Sequence, residues 1–323
     1  MLRVLFSVSP TAARMATGMF LLAVITLVVI EQPDYPFRPS GDTWDYAAAG
    51  ERLNAGHHLY ALGLGDRPVD LNPPFWTVPL VSPPPVAVLW RPIAAVGPAG
   101  WVAWWIGGIL ATLGMVGWIL IRGSPLAILW LLLVSPALTQ ATISGNASAY
   151  LVPLVFLTWQ LRDRPWFVGL AIAASAAVKL SPILLVLWLL RARRFSAVAS
   201  VLVVGIAILV ASLIGAGPDA WLQWLSAAPK DSPAPSSLAA LSGLPTALVG
   251  VAVIVGSSIA ILVTRSERIW FSICVIAAVA ATPALYFTTF ALLAAAASPS
   301  VGRMAASSVM SMYSSRRGVA STE

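Results

Sequence analysis

Asp42 and Asp45 stand three residues apart in the run Gly41-Asp42-Thr43-Trp44-Asp45-Tyr46-Ala47-Ala48-Ala49. On a helix that spacing projects both carboxylates from neighbouring positions at its start. Two carboxylates there can share acid–base work, one of them taking a proton from a hydroxyl. Capping and the helix dipole explain aspartate at a helix start equally well. Lys179 is the second chemical signal, because it lies between two apolar runs in Val178-Lys179-Leu180-Ser181-Pro182. An unpaired lysine at that depth costs several kcal/mol, so it either meets a partner such as a phosphate or snorkels to the interface. Asn146, after Gly145, offers a hydrogen-bonding amide or simply closes a tight turn. His57 and His58 read as ordinary loop residues, since no carboxylate, histidine or cysteine at metal-ligand spacing accompanies them.

The medium for that chemistry follows from composition. Of 323 residues, 59% are hydrophobic and 10% charged, against roughly a quarter charged in soluble domains. The mean hydropathy is +0.87. These values describe an all-α polytopic membrane protein and exclude a soluble enzyme. Cys274, the single cysteine, sits in an apolar run, which removes disulfide, CxxC redox and cysteine–zinc readings. There is no Walker motif, GxGxxG, HExxH or serine nucleophile elbow. Nucleotide-driven pumping and cytosolic nucleotide-sugar chemistry therefore lack their usual equipment. The formal charge of +7 is scattered beside apolar runs and not gathered on one face, so it reads as a topology signal and not as nucleic-acid binding.

Hydropathy predicts ten membrane segments, at about 13–30, 98–121, 124–142, 147–161, 166–178, 181–190, 196–215, 246–264, 269–281 and 284–297. The first ends at Glu31-Gln32-Pro33 with no small-x-small site, which reads as an uncleaved anchor. Four segments fall short of a crossing and form two pairs, interrupted at Lys179-Leu180-Ser181-Pro182 and at Thr282-Pro283. Each pair is either a hairpin with its tip at membrane depth or one long kinked helix. With the N-terminus inside, 13 of the 19 basic residues face inward; Arg38, Arg52, Arg67, Arg91, Lys179 and Lys230 remain outside. That orientation makes residues 1–323 a single plasma-membrane domain with both termini cytoplasmic and a tail at 298–323. Outer loops at 31–97 and 217–245 then carry the polar chemistry. Within the first, 42–56 predicts an interfacial helix stopped by Asn54-Ala55-Gly56, with Trp44, Ala47, Ala48 and Leu53 toward the membrane. The proline- and aromatic-rich runs Asn72-Pro73-Pro74-Phe75-Trp76 and Ser82-Pro83-Pro84-Pro85 suit a stiff cleft wall at headgroup level.

An enzyme on the outer face must find its activated donor in the membrane, which a polyprenyl-phosphate sugar supplies. The run from Gly41 to Ala49, followed by Leu53-Asn54-Ala55-Gly56-His57-His58-Leu59-Tyr60, resembles the opening of glycosyltransferase family eighty-seven. Further resemblances follow in order over roughly residues 40–290. They are Ser82-Pro83-Pro84-Pro85 with Leu89-Trp90-Arg91-Pro92, Ser144-Gly145-Asn146, Gly169 through Pro182, Arg191 to Arg194, and Ser236-Ser237-Leu238. The resemblance implies a C-type glycosyltransferase-like fold and transfer, with inversion, from a polyprenyl-phosphate sugar to a lipid-linked or envelope glycan. Mannose is the first donor sugar it implies and arabinose the second. It implies Asp42 as general base, and Asp45, Tyr46, Tyr60, Arg91, Asn146 and Lys179 as donor- and acceptor-binding residues, with no metal and no cofactor.

Two features depart from the pattern. Many members carry a histidine pair after Ser-Pro and an aromatic residue, where this chain reads Thr282-Pro283-Ala284-Leu285-Tyr286-Phe287-Thr288-Thr289; altered donor choice and lost activity both fit that change. The chain is also short for the family, which implies one peripheral helix fewer. The other reading is a non-catalytic lipid-sugar flippase or assembly subunit with the same fold.

Overall fold

The structure is a computed structural model that describes residues 42–60, 82–227, 237–282 and 286–302, together with residue 18. The segment at 13–30, the run 72–76, Arg38, Arg67, Lys230, Pro283 and most of the tail lie outside those residues. Helix is the only regular secondary structure among the described residues, with one isolated bridge between Gly123 and Val301.

Four helices are long and apolar enough to cross a membrane: α3 (Pro98–Arg122), α4 (Pro125–Ile143), α8 (Phe195–Ala216) and α11 (Thr246–Val263). On α11 only 17% of the apolar window is buried, and on α8 22%. Leu202, Ile206 and Ile214 of α8 and Leu248, Val251 and Ile259 of α11 are exposed. Water does not tolerate apolar faces of that extent, whereas lipid solvates them. A shorter apolar helix, α2 (Pro84–Val96), precedes them, and α5 (Ser148–Gln160), α6 (Pro165–Val178) and α7 (Leu185–Arg191) lie between, the last entered through a 3-10 turn at Ser181–Leu184. Helix α12 (Glu267–Ala280) and a terminal 3-10 segment, Phe287–Ser300, close the bundle. The outer loops contribute α1 (Asp42–Asn54), α9 (Pro218–Ala227) and α10 (Leu238–Ser242).

Both short pairs are hairpins. In the first, Arg194, just past α7, donates through Nη1 to the carbonyl of Arg162, just before α6, at 2.7 Å. Its two ends therefore meet at one end of the bundle and Lys179 lies at the tip. In the second, Ser272 of α12 donates to Ala296 of the terminal segment at 3.2 Å, which pairs the limbs antiparallel. The tips touch, since Thr282 Oγ1 donates to Ser181 Oγ at 3.1 Å. A 14-residue 3-10 segment rises about 28 Å at about 2.0 Å per residue, close to the hydrocarbon thickness of about 30 Å. Its alanine-rich sequence lets neighbours approach, and Trp130 and Gln160 donate to its carbonyls at Leu293 and Ser298. Ser124 N–H donates to Ser300, and Gly302 N–H to Arg122, so the segment ends beside the junction of α3 and α4.

The core at this end is aromatic. Trp159, Trp188 and Phe271 form a triangle with centroids 5.1–5.9 Å apart, joining α5, α7 and α12. Arg194 crosses above it, 3.0 Å from Glu267 and 3.4 Å from Asp163. Trp188 Nε1 donates to the same Glu267 carboxylate at 3.2 Å. Hydrogen bonds to charged groups contribute roughly 1.5–3 kcal/mol each when half-buried, and a fork of this kind suits guanidinium alone. Arg194→Ala is expected to destabilise the protein by about 2 kcal/mol, with Arg194→Lys restoring less than half of the lost thermal midpoint in detergent; equal midpoints for Lys and wild type would refute the fork.

Candidate functional site

At the opposite end, α4 stops at Ile143 and α5 begins at Ser148. Asn146 N–H donates to Ala141 and Gly145 N–H to Thr142, with Gly145 at φ +65°. This is a Schellman ending, in which the left-handed glycine turns the chain while consuming orphan carbonyls of the helix. Neighbouring side chains take up the remaining carbonyls. Trp105 donates to Ile143 at 3.0 Å, Thr43 to Ser144 at 3.3 Å and Trp104 to Gly145 at 3.0 Å. Asn146 then caps α5, because its Oδ1 accepts from Ser148 N–H at 2.7 Å. Its carbonyl oxygen is thereby a structural cap.

The two charged candidates attach to this turn. Ser144 Oγ donates to Asp42 Oδ2 at 2.9 Å, and Lys179 Nζ donates to Ser148 Oγ at 2.9 Å. Burial, the larger effect, disfavours the charge on Lys179, and the nearby Asp42 carboxylate offsets part of it. Base and cation thus hang from successive serines of one interhelical turn. Neither serine was singled out for a role in the sequence; for Ser144 the signal was present, as the first residue of Ser-Gly-Asn.

Helix α1 positions the base. Its buried face is Thr43, Tyr46, Ala47 and Gly50, the i, i+3, i+4, i+7 stripe, which packs on α2 and the turn. Of the expected membrane face, Ala47 is buried on this stripe while Trp44, Ala48 and Leu53 are partly exposed; Thr43 and Tyr46 turn inward to hydrogen-bonding partners at the turn. Trp44 packs edge-on against Trp101 at 4.8 Å. The helix ends in a second Schellman motif, with His57 N–H to Arg52, Gly56 N–H to Leu53 and Gly56 at φ +77°. Since its start touches the α4–α5 turn and its end approaches the C-terminus of α8, α1 lies across the end of the bundle.

Tyr46, Tyr60 and Arg91 hold this arrangement together. Tyr46 Oη accepts from Ala147 N–H at 3.4 Å and packs against Trp90, with ring centroids 5.7 Å apart. Tyr60 donates to the Ser82 carbonyl at 2.6 Å. Burial raises both phenol pKa values, and for Tyr46 the Asp42 charge adds to it, so both stay protonated. Arg91 is not brought to Asp42 and Lys179. It donates to Asn54 Oδ1 and to the Gly215 carbonyl, each at 3.0 Å, and ties α2 to the far end of α1 and to α8. Asn54 lies about 18 Å along the helix from Asp42, at about 1.5 Å per residue.

Asp45 behaves differently from an exposed carboxylate. Burial first, and the neighbouring Asp42 charge second, raise its pKa from 3.8 to about 7. Near neutrality it is partly protonated and can donate as well as accept. Among the described residues no group of three or more histidine, cysteine, aspartate or glutamate side chains is arranged to hold a metal.

Among known proteins, the model of glycosyltransferase family 87 matches residues 81–315. That span covers Ser144-Gly145-Asn146 and Lys179 but starts after α1. No curated protein and no solved structure matches the chain.

Two consequences are testable. A Cβ at Gly145 meets Thr43, and left-handed backbone costs a non-glycine residue about 1–2 kcal/mol; Gly145→Ala should therefore lower the thermal midpoint, whereas an unchanged midpoint would mean the turn relaxes freely. For Asp45 the folded pKa is raised, so its stabilising contribution is complete below the unfolded value near 4 and is lost as pH rises through about 7. Across that window the wild type should lose stability relative to Asp45→Asn, read as the difference of thermal midpoints against pH; parallel curves would contradict the shift.

Proposed function

Because the chain belongs to glycosyltransferase family 87 and is rich in membrane helices, we propose that it transfers mannose from a polyprenyl-phosphate donor to a lipid-linked or cell-envelope glycan. The observation that carries this reading is the pairing of a carboxylate and an ammonium on one turn, Asp42 through Ser144 and Lys179 through Ser148. Ser144 holds one oxygen of Asp42, and the other faces the acceptor hydroxyl. That oxygen takes the proton as the acceptor oxygen bonds to the anomeric carbon. The bond from that carbon to phosphate breaks on the opposite side, so the configuration inverts and the lipid phosphate leaves with the electron pair. Phosphate is a good leaving group, so it needs charge neutralisation more than a proton, and Lys179 supplies that. No metal is needed for such a step.

Asp45, partly protonated beside the base, lends a hydrogen bond to donor or acceptor. The tyrosines and Arg91 serve the walls, and Asn146 orients the turn.

The site faces outward from the plasma membrane in this reading, and both termini are cytoplasmic. Support comes from the ends of the bundle. Arg122, Arg162, Arg164, Arg191, Arg193 and Arg194 gather opposite the Asp42 end, where the positive-inside rule puts the cytoplasm.

The experiment is sugar transfer by membranes carrying the protein, given radiolabelled polyprenyl-phosphate mannose, with Asp42→Asn as the paired control. Wild-type transfer is expected, reduced about 100-fold or more in a normally expressed mutant, the size of a general-base contribution. Equal transfer by both proteins would remove Asp42 from the mechanism. No transfer from mannose, followed by transfer from the arabinose donor, would change the sugar and leave the class.

A further inference from the structure

A polar cavity lies at the other end of α1. It holds about 190 Å³ and is lined by His57, His58, Asp219 and Gln223, with Gly56 and Gly217 backbone at its rim. It sits where the Schellman ending of α1 meets the loop from α8 into α9. Cα positions at the two ends of α1 are about 18 Å apart, so the cavity is separate from the turn that carries Asp42 and Lys179.

Its lining mixes donors and acceptors. Gln223 Oε1 accepts no hydrogen bond from the described residues and is itself covered, so a hydroxyl reaches it once the side chain turns its amide into the cavity. Leaving a buried acceptor unpaired is costly, and native structures rarely do so without a ligand or water to complete it. Gln223 Nε2 lies 3.5 Å from His58 Nδ1, and when that nitrogen accepts, His58 Nε2 carries a proton. Asp219 adds a carboxylate at the rim, while Arg52 directs Nε and Nη2 to the His58 carbonyl. The Asp219 carboxylate, in the first turn of α9, disfavours an anion there. A polyol fits, because every hydroxyl both donates and accepts. The volume equals about six waters at about 30 Å³ each, enough for one sugar ring.

The surroundings suit a lipid-linked sugar. Leu222 and Leu225 of α9 are exposed beside the cavity, while Trp221 donates to Ser212 at 3.0 Å and packs edge-on against Trp224 at 5.8 Å. Apolar and tryptophan side chains in this arrangement mark a helix at the lipid surface.

We infer that the cavity framed by His58, Asp219 and Gln223 is a saccharide-binding subsite for a neutral sugar unit of the acceptor. That the sugar belongs to the acceptor rests on the transferase reading above; the binding itself does not. A unit held there lies some 20 Å from Asp42 by the length of α1, so it is remote from the reacting hydroxyl and sets affinity, not chemistry.

The test is saturation-transfer NMR on the purified full-length chain in detergent, with methyl α-mannoside as probe and inorganic phosphate as the charged comparison. Saturable glycoside binding is expected. Gln223→Leu, which keeps the side chain's shape, and His58→Ala should each weaken it about tenfold, whereas Asp42→Asn leaves it intact. In the transfer assay Gln223→Leu should raise the acceptor KM with kcat unchanged. The inference is overturned by glycoside binding that ignores both substitutions, by binding of phosphate in place of glycoside, or by transfer activity in a preparation that binds no glycoside. Binding that depends on Gln223 in a protein without transferase activity would uphold the subsite and sink the transferase reading.

Discussion

A helix that stops inside a bundle of apolar helices exposes carbonyls and amides that its surroundings cannot solvate, and each one left unpaired costs several kcal/mol. That constraint organises this protein. The interruptions at Ile143–Ser148, at Lys179 and at Thr282 are positions where polar side chains must gather, and the chemistry gathers with them. Trp104, Trp105 and Thr43 attend to carbonyls of the first break. Lys179 meets Ser148, and Thr282 meets Ser181, across the others. The candidate site is in this sense a by-product of satisfying backbone, with side chains that can bind a substrate once their structural task is met.

The same constraint separates the two ends of the bundle. One end is closed by the Arg194 network, the aromatic triangle beneath it and the bridge from Gly123 to Val301, which fasten α3, α5, α7, α12 and the terminal segment where the chain repeatedly returns. The other end is roofed by α1, lying crosswise and held at one terminus by the turn and at the other by Arg91. Rigidity at both termini of a 13-residue helix fixes the distance between the Asp42 turn and the Gln223 cavity. A fixed separation is what a pair of subsites on one extended substrate requires.

Several features were legible from residue types alone. The Asn54-Ala55-Gly56 stop ends a helix because glycine alone enters the left-handed region without penalty, and the structure ends α1 with that motif. Charge and hydropathy separated lipid-facing stretches from loops, and the order of short motifs pointed to the family that residues 81–315 match. The partners of those motifs were not legible. Arg91 sits in a motif read as substrate-binding, yet its guanidinium meets Asn54 and Gly215, 37 and 124 residues away. Ser144 and Ser148 gave no strong signal, since a serine hydroxyl acquires a role only from what stands within hydrogen-bond reach.

By itself, then, the sequence determined the solvent of the fold, the places where helices must stop and the residue types able to do acid–base or phosphate chemistry. These depend on local composition and backbone preference, which neighbours in the chain dictate. Tertiary structure alone decided that the short pairs are hairpins, that their tips meet, and that Asp42 and Lys179 share one turn although 137 positions separate them. It also brought Gln223 to His58. Those choices depend on packing between distant helices and on which buried polar atoms find each other, and no local pattern encodes that.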